Sequence, residues 1–297
     1  MGERSGRPRP NSSPSMLIPI EQPFNLTHTL ECGQAFRWRR EGDWYYGVIY
    51  GNILKIRQTL LGVEFNSHPL PEDEIVNWLV YYLRLDDDLP EIYRKIGRDD
   101  RMRQAIAQFF GLRLLRQEPW ECLVSFICSI SSNIPRISES IESLCRKMGD
   151  RLEMDGHVRF SFPGPEKVME LGETGLRLMG MGFRSPYLAD TADRIGRGSY
   201  DLEGLRELDY DDAKKDLMTL FGVGDKVADC VLLFSLEKLD AFPVDRWVRR
   251  AVEEWYSVGE NPSYDMIRSW ALDYFGGHAG YAQQYLFHRR RLEKKPT

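Results

Sequence analysis

Cysteine is scarce in this chain. Cys32, Cys122, Cys128, Cys145 and Cys230 are scattered and odd in number, no Cys-x-x-Cys occurs, and none follows Cys230. That usage fits a reducing, intracellular setting rather than a disulfide framework, and it supports no structural zinc site. Long apolar runs are also missing. None approaches the roughly 18 to 20 residues that a membrane span needs, so no membrane partner is expected. The first fifteen residues, MGERSGRPRPNSSPS, lack the apolar centre of a signal peptide. Residues 1–15 read as a disordered tail or an expression addition, with Met16 as the first structured residue. Positive charge is not in excess either: 40 Lys and Arg stand against 45 Asp and Glu, a net charge of −5. At first sight this argues against a polyanionic partner. With a Debye length of about 8 Å at physiological salt, however, a partner feels the facing surface rather than the whole-chain sum. Basic clusters occur at Arg246, Arg249 and Arg250, and at His288-Arg289-Arg290-Arg291.

What is present is ordinary in amount and ordered in arrangement. The 297 residues are 42% hydrophobic and 29% charged, enough for a sizeable core and for two domains. From about Leu17 to Asn66 the pattern is β. Short aromatic and β-branched runs at 35–39, 45–49, 53–58 and 62–65 are separated by turn signals at Glu41-Gly42-Asp43 and Gly51-Asn52, which predicts an antiparallel meander. Pro71 then opens an amphipathic helix running through Tyr82. Helices are expected near 90–96, 102–109, 120–129, 137–148, 166–171, 186–195, 202–208, 245–255, 264–275 and 279–291. The fold class is therefore α+β, with a β-rich lobe over 16–115 and a helical domain over 116–297.

The most informative stretch runs from Asp216 to Val248. A helix ends near Leu220, a Phe221-Gly222-Val223-Gly224-Asp225 hairpin follows, and a second helix spans Lys226 to about Leu236. Glycine permits positive φ and close approach of the backbone to a ligand. The amides of such a turn, feeding a helix N-terminus, suit a phosphate. Lys226 sits where the positive end of the helix dipole disfavours an ammonium, and a neutral amine is what a Schiff-base nucleophile needs. Asp245, after Pro243-Val244, opens the next helix, where a carboxylate can cap the helix and stabilise developing positive charge. Singly, such a lysine is usually a solvated charge and such an aspartate usually only a cap; together in this setting they point to a site.

Helix, Gly-x-Gly hairpin and helix resemble the helix-hairpin-helix DNA-binding element. Lys226 and Asp245 resemble the catalytic pair of the helix-hairpin-helix (HhH-GPD) DNA glycosylases, and GVGDKVADC…FPVD is most similar to their 8-oxoguanine branch. The order of a β-rich lobe and then a helical body matches that branch over nearly the whole chain. The missing cysteines fit as well, since endonuclease III and the adenine-removing glycosylases typically carry a four-cysteine iron–sulfur cluster after the catalytic domain.

The resemblance implies further roles. Glu31-Cys32-Gly33-Gln34-Ala35-Phe36-Arg37-Trp38 is similar to the Gly-Gln-x-Phe-Arg-Trp motif, where the glycine carbonyl accepts N7–H of the damaged base. Guanine carries an acceptor at N7 and 8-oxoguanine a proton, so a carbonyl at Gly33 distinguishes them. That contact is worth about 1 to 3 kcal/mol, roughly a 5- to 150-fold preference, so the extrusion path must discriminate too. Gln283 matches the glutamine that reads the Watson–Crick edge and Phe287, one turn later, the aromatic that stacks on the base; Cys230 matches the pocket cysteine. In Ser131-Ser132-Asn133-Ile134-Pro135-Arg136 the position of the family's gap-filling asparagine is Ser131, a departure, while Asn133 is retained and Arg136 matches a cytosine-reading arginine. Phe183 and Arg184 match an aromatic wedge and the second such arginine. Gly222, Val223 and Gly224 would bind phosphate, with room for a monovalent cation at the hairpin carbonyls. Arg246, another departure, stands at a phosphate-contact position.

The expected function is thus a bifunctional, cofactor-independent glycosylase and AP lyase. It would act as a monomer on duplex DNA containing 8-oxoguanine, opposite cytosine, in the cytoplasm or nucleoid of a prokaryote or the nucleus of a eukaryote. A glycosylase for another oxidised or alkylated base, or a non-enzymatic DNA-binding protein that uses the hairpin only as a grip, are the alternatives.

Overall fold

The computed structural model describes residues 15–293; the tail expected over 1–15 lies, but for Ser15, outside the described residues. Strand β1 (Met16–Pro19) is followed by helix α1 (Leu26–Glu31), capped by Asn25, whose Oδ1 accepts from His28 N at 2.9 Å. Strands β2 (Arg39–Glu41), β3 (Trp44–Ile49), β4 (Asn52–Gln58) and β5 (Gly62–His68) complete an antiparallel sheet of order β1-β5-β4-β3-β2. Helices α2 (Glu72–Tyr82), α3 (Leu89–Ile96), α4 (Asp100–Gln108), α5 (Pro119–Cys128) and α6 (Ile134–Met148) follow. A hairpin of β6 (Arg151–Met154) and β7 (His157–Phe160) then precedes α7 (Pro165–Leu178), α8 (Ser185–Gly196), α9 (Tyr210–Leu217), α10 (Asp225–Ser235), α11 (Arg246–Tyr256), α12 (Tyr264–Phe275) and α13 (Ala279–Leu292).

The meander is present, with two differences from the sequence reading. Residues 35–38 are not a strand. Phe36 packs in the helical core, its ring 5.7 Å from Phe126, whereas Trp38 packs under the sheet and donates to the Tyr82 hydroxyl at 2.9 Å. Phe36 and Trp38, which would share one face of a strand, enter separate cores, so the segment crosses between them and joins a ladder only at Arg39. The second difference is the β6–β7 hairpin, which covers part of the sheet's other face: His157 lies 4.1 Å from the Tyr46 ring and Asp155 bridges Lys55 at 2.6 Å. That cover explains why β3 is buried almost throughout instead of on alternate residues.

Helices dominate the rest. Expected helix 166–171 is the first part of α7, which kinks at Gly172 (φ 57°), and expected helix 202–208 is a 3-10 turn at Glu203–Arg206. Helix α10 is the centre of the body: every residue from Val227 to Ser235 is buried, and Phe234 stacks on Phe126 of α5 at 5.5 Å. At about 1.5–3 kcal/mol for each large apolar side chain removed from water, this packing fixes α10 firmly. Gln34 joins lobe to body. Fully buried, it donates to Thr29 O and Arg113 O, accepts from Leu115 N, and through its own carbonyl accepts from Gln117 Nε2.

Candidate active site

Helix α9 ends at Leu217, three residues earlier than the sequence suggested, and two turns carry the chain to Gly222, where φ is +80°. A methyl there would sit 2.4 Å from the Tyr187 ring, so the missing side chain at Gly222 accommodates α8. Gly224 has open space around it and caps α10 without any side-chain bond. The backbone that a ligand can approach is therefore at Gly224 and the first turn of α10; the Val223 side chain is buried. Leu220 O accepts from Val223 N, and Gly224 O from Val227 and Ala228 N. Gly224 O is thereby committed to two amides of the first turn of α10. Among the described residues no cluster of His, Cys, Asp and Glu could hold a metal ion.

Lys226, half-buried at the start of α10, reaches into a cavity of about 310 Å³. Its Nζ donates to Ser129 Oγ at 2.8 Å and lies 4.9 Å over the Phe126 ring; the Ser129 hydroxyl in turn donates to Phe126 O at 2.6 Å. Asp245 lines the same cavity. Its Oδ1 accepts from Trp247 N and Val248 N, both at 2.9 Å, so one oxygen caps α11 and Oδ2 is not committed to the cap. Burial pushes the Asp245 carboxyl above the ordinary aspartate range, while the α11 amides and the Lys226 charge pull it back part of the way. Burial likewise pushes the Cys230 thiol up to about 12, so it stays protonated.

Gly33, Cys230, Gln283 and Phe287 also line this cavity. A methyl on Gly33 (φ +89°) would lie 2.7 Å from Ile134 Cδ1 and 3.4 Å from the Phe287 ring, closing the space beside them. Gln283 is 4% exposed. Its Nε2 donates to Pro243 O at 3.0 Å, which orients the amide, and its Oε1 is buried without a partner. A buried, unpaired acceptor costs about 1–3 kcal/mol and marks a place for a donor from outside the chain.

An outer groove of about 800 Å³ continues from the cavity, sharing Lys226, Asp245 and Arg246 and adding Ser131, Arg136, Gly222 and Gly224. Ser131 is exposed and holds φ +50°; Asn133 caps α6 by accepting from Arg136 N at 3.1 Å. Phe183 and Arg184 line neither space. Phe183 is half exposed, with the Arg184 guanidinium 4.5 Å over its ring, and Arg184 Nε donates to Ile130 O at 2.8 Å, bracing the loop that carries Ser131. The second basic cluster is mostly spent inside the body. Arg289 donates to Arg101 O and Gln104, Arg290 pairs with Glu254 and Glu293, and His288 is buried. Arg291 does reach the cavity wall, 5.6 Å from the Phe287 ring. Of the other cluster, Arg246 faces both cavity and groove, whereas Arg249 donates to Pro262 O. Ser129, Trp247, Gln284 and Arg291 carried no local signal that placed them in the site; only the packing of α5, α11 and α13 does so.

Comparison with known proteins bears on the family and the fold. Residues 16–123 match the 8-oxoguanine DNA glycosylase N-terminal domain, and residues 124–274 match the HhH-GPD superfamily of base excision DNA repair proteins. A probable N-glycosylase/DNA lyase of Methanothermobacter thermautotrophicus is 31% identical over 93% of this chain and 96% of its own. The Arabidopsis thaliana N-glycosylase/DNA lyase OGG1 is 28% identical over 95% and 89%. The Clostridium acetobutylicum 8-oxoguanine glycosylase/lyase, solved on double-stranded DNA with cytosine opposite 8-oxoguanine, is 34% identical, covers 94% of this chain and 98% of its own, and superposes with a TM-score of 0.86. On the domain matches, the relatives and the shared fold together, this chain belongs to the 8-oxoguanine DNA glycosylase branch of the HhH-GPD superfamily.

Proposed function

We propose that the chain excises 8-oxoguanine from duplex DNA and then nicks the strand, with Lys226 as nucleophile and Asp245 as its electrostatic partner. One observation carries this reading: an amine and a carboxylate share one cavity whose wall holds the unpaired, buried Gln283 Oε1. A base inside a duplex cannot reach such a place, so the nucleotide turns about 180° out of the stack, at a cost of a few kcal/mol. The N1–H and N2–H donors of a guanine-type base satisfy Gln283 Oε1, Phe287 stacks on the ring, Cys230 closes the other side, and the Gly33 carbonyl takes N7–H. Ordinary guanine presents a lone pair there and leaves the carbonyl unpaired.

With the base seated, the glycosidic electron pair leaves with the base, which takes up a proton from the Lys226 ammonium, and the freed Nζ lone pair then bonds to C1′. Asp245 stabilises the cationic sugar between these events. The adduct loses the ring oxygen from C1′ and becomes an iminium. Loss of a C2′ proton then expels the 3′ phosphate, and water releases the lysine. Gly224 and the first-turn amides of α10 hold a backbone phosphate, aided by Arg246; of the other two hairpin residues expected to share this role, Gly222 shapes the turn and the Val223 amide is taken by Leu220 O. Ser131, Asn133, Arg136, Phe183 and Arg184 form the face toward the gap and the orphaned cytosine. The site is complete within one chain, which supports a monomer.

Borohydride should trap the protein covalently on duplex carrying 8-oxoguanine opposite cytosine, and Lys226→Gln should abolish trapping while duplex binding persists. Full trapping or full strand nicking by that variant removes the mechanism, and salt-dependent binding without trapping by the unaltered protein would mark a DNA-binding module instead.

A further inference from the structure

Pro243, Val244 and Asp245 form part of the cavity wall yet belong to no helix or strand, so side-chain bonds must fix them. Pro243 O is held by Gln283, and Asp245 Oδ1 by the α11 amides. Between them Val244 N–H donates to the Tyr264 hydroxyl at 3.2 Å. Tyr264 comes from α12, which contributes nothing to the inner cavity. Its hydroxyl is itself pinned, donating to Asp229 Oδ2 at 2.7 Å. Asp229 is fully buried on α10, three residues beyond Lys226; its Oδ1 accepts from Tyr210 at 2.6 Å and lies 3.6 Å from Lys214 Nζ. Lys214 also pairs with Asp225, the residue before Lys226, at 2.9 Å. A continuous polar chain thus runs from the helix that carries Lys226 to the peptide that precedes Asp245.

We propose that Tyr264 is a positioning residue: by anchoring the Val244 amide to Asp229 it sets the Asp245 carboxylate relative to Lys226. The inference rests on reading Lys226 and Asp245 as the reacting pair. Without the hydroxyl, the Val244 amide and one Asp229 oxygen lose their partners together, and the loop before α11 is free to relax. A displacement of about 1 Å at a reacting group lowers a rate by as much as 10²-fold.

The test compares the whole protein with Tyr264→Phe in single-turnover excision of 8-oxoguanine opposite cytosine, alongside duplex affinity and folded fraction. The expected result is a loss of about ten- to a hundred-fold in excision rate, with affinity and folded fraction within two-fold and the acid limb of the pH–rate profile displaced. An unchanged rate overturns the inference, and so does a loss matched by equal losses in affinity or folded fraction. Asp229→Asn, which keeps an acceptor for one tyrosine but removes the charge, should show a smaller loss in the same direction. It decides the matter per folded molecule if Tyr264→Phe does not fold. No excision by the unaltered protein overturns the functional reading and this inference together; normal excision with an unaffected Tyr264→Phe overturns the inference alone.

Discussion

Asp245 caps a helix and holds a charge with the same carboxylate, and the two jobs can be separated. Asparagine is as good a cap as aspartate but carries no charge. Asp245→Asn should therefore leave the melting temperature nearly unchanged while lowering excision about 10²- to 10³-fold, the size of other lost electrostatic contacts to a charged transition state. The pH dependence follows from burial, which raises this carboxyl above the usual aspartate range. In the proposed mechanism the ionised form is the active one, so the unaltered enzyme should lose rate on the acid side at a pH above that of an exposed aspartate, and Asp245→Asn should lack this limb. Because the folded-state value is raised, the folded protein binds this proton more readily than the unfolded chain does. Acid thus favours the fold at this group, and a rate lost there is not unfolding. A pH–rate profile with a parallel melting curve checks both statements. Lys226 and Asp245 were legible in the sequence because a glycine hairpin and an N-cap are local signals. Ser129, which receives the Lys226 amine, was not, because nothing between residues 129 and 226 announces that α5 and α10 pack side by side.

At the scale of elements, legibility follows how local each signal is. The order of helix, hairpin and helix came through because Gly222 takes a positive φ that favours glycine and Asp245 caps α11 with its side chain. The β6–β7 hairpin was missed although Asp155-Gly156 (φ 52° and 80°) is a strong turn dipeptide, since the four-residue flanks are mixed in polarity and take their order from the sheet they cover. Residues 35–38 were misread because Phe36 and Trp38, spaced as two residues of one strand face, enter two separate cores instead. The loop after α5 shows a local cost that the sequence does signal. Ser131 occupies the left-handed region, where a side chain that is not asparagine, aspartate or glycine costs roughly 1–2 kcal/mol. Ser131→Asn should recover part of that cost and raise the melting temperature by about 2 to 4 °C per kcal/mol recovered. The side chain is exposed on the groove, so the same change should also sharpen the preference for cytosine over the other three opposite bases in a four-duplex excision panel.

At the scale of the molecule, the question is what keeps a five-stranded lobe fixed on a helical body so that Gly33 from one faces Lys226 from the other. Gln34 supplies neutral bonds across the junction, and Arg37 supplies charge. Arg37 is 4% exposed; its Nη1 lies 3.1 Å from Glu121 on α5, its Nε 3.6 Å from Glu142 on α6, and its Nη2 donates to Phe160 O on β7. Burial is severe enough to push the Glu121 carboxyl up to about 7 even beside this guanidinium. Arg37→Met removes the cation and leaves two carboxyls facing each other in the junction, a change expected to cost about 3–5 kcal/mol at neutral pH. The cost should depend on pH in a definite direction. A carboxyl whose folded value lies above its ordinary 4.5 favours the folded state when protonated, so stability at this group is present below 4.5 and declines as pH rises through about 7. Without Arg37 the upward pull is stronger still, and the deficit of Arg37→Met should be largest near pH 8 and shrink toward pH 5. Arg37→Lys, which restores charge but not the forked geometry, should fall between the two. Urea melts of the three proteins at pH 5, 7 and 8 measure this. A deficit that is flat with pH would mean that Arg37 holds the junction by packing and the Phe160 bond alone.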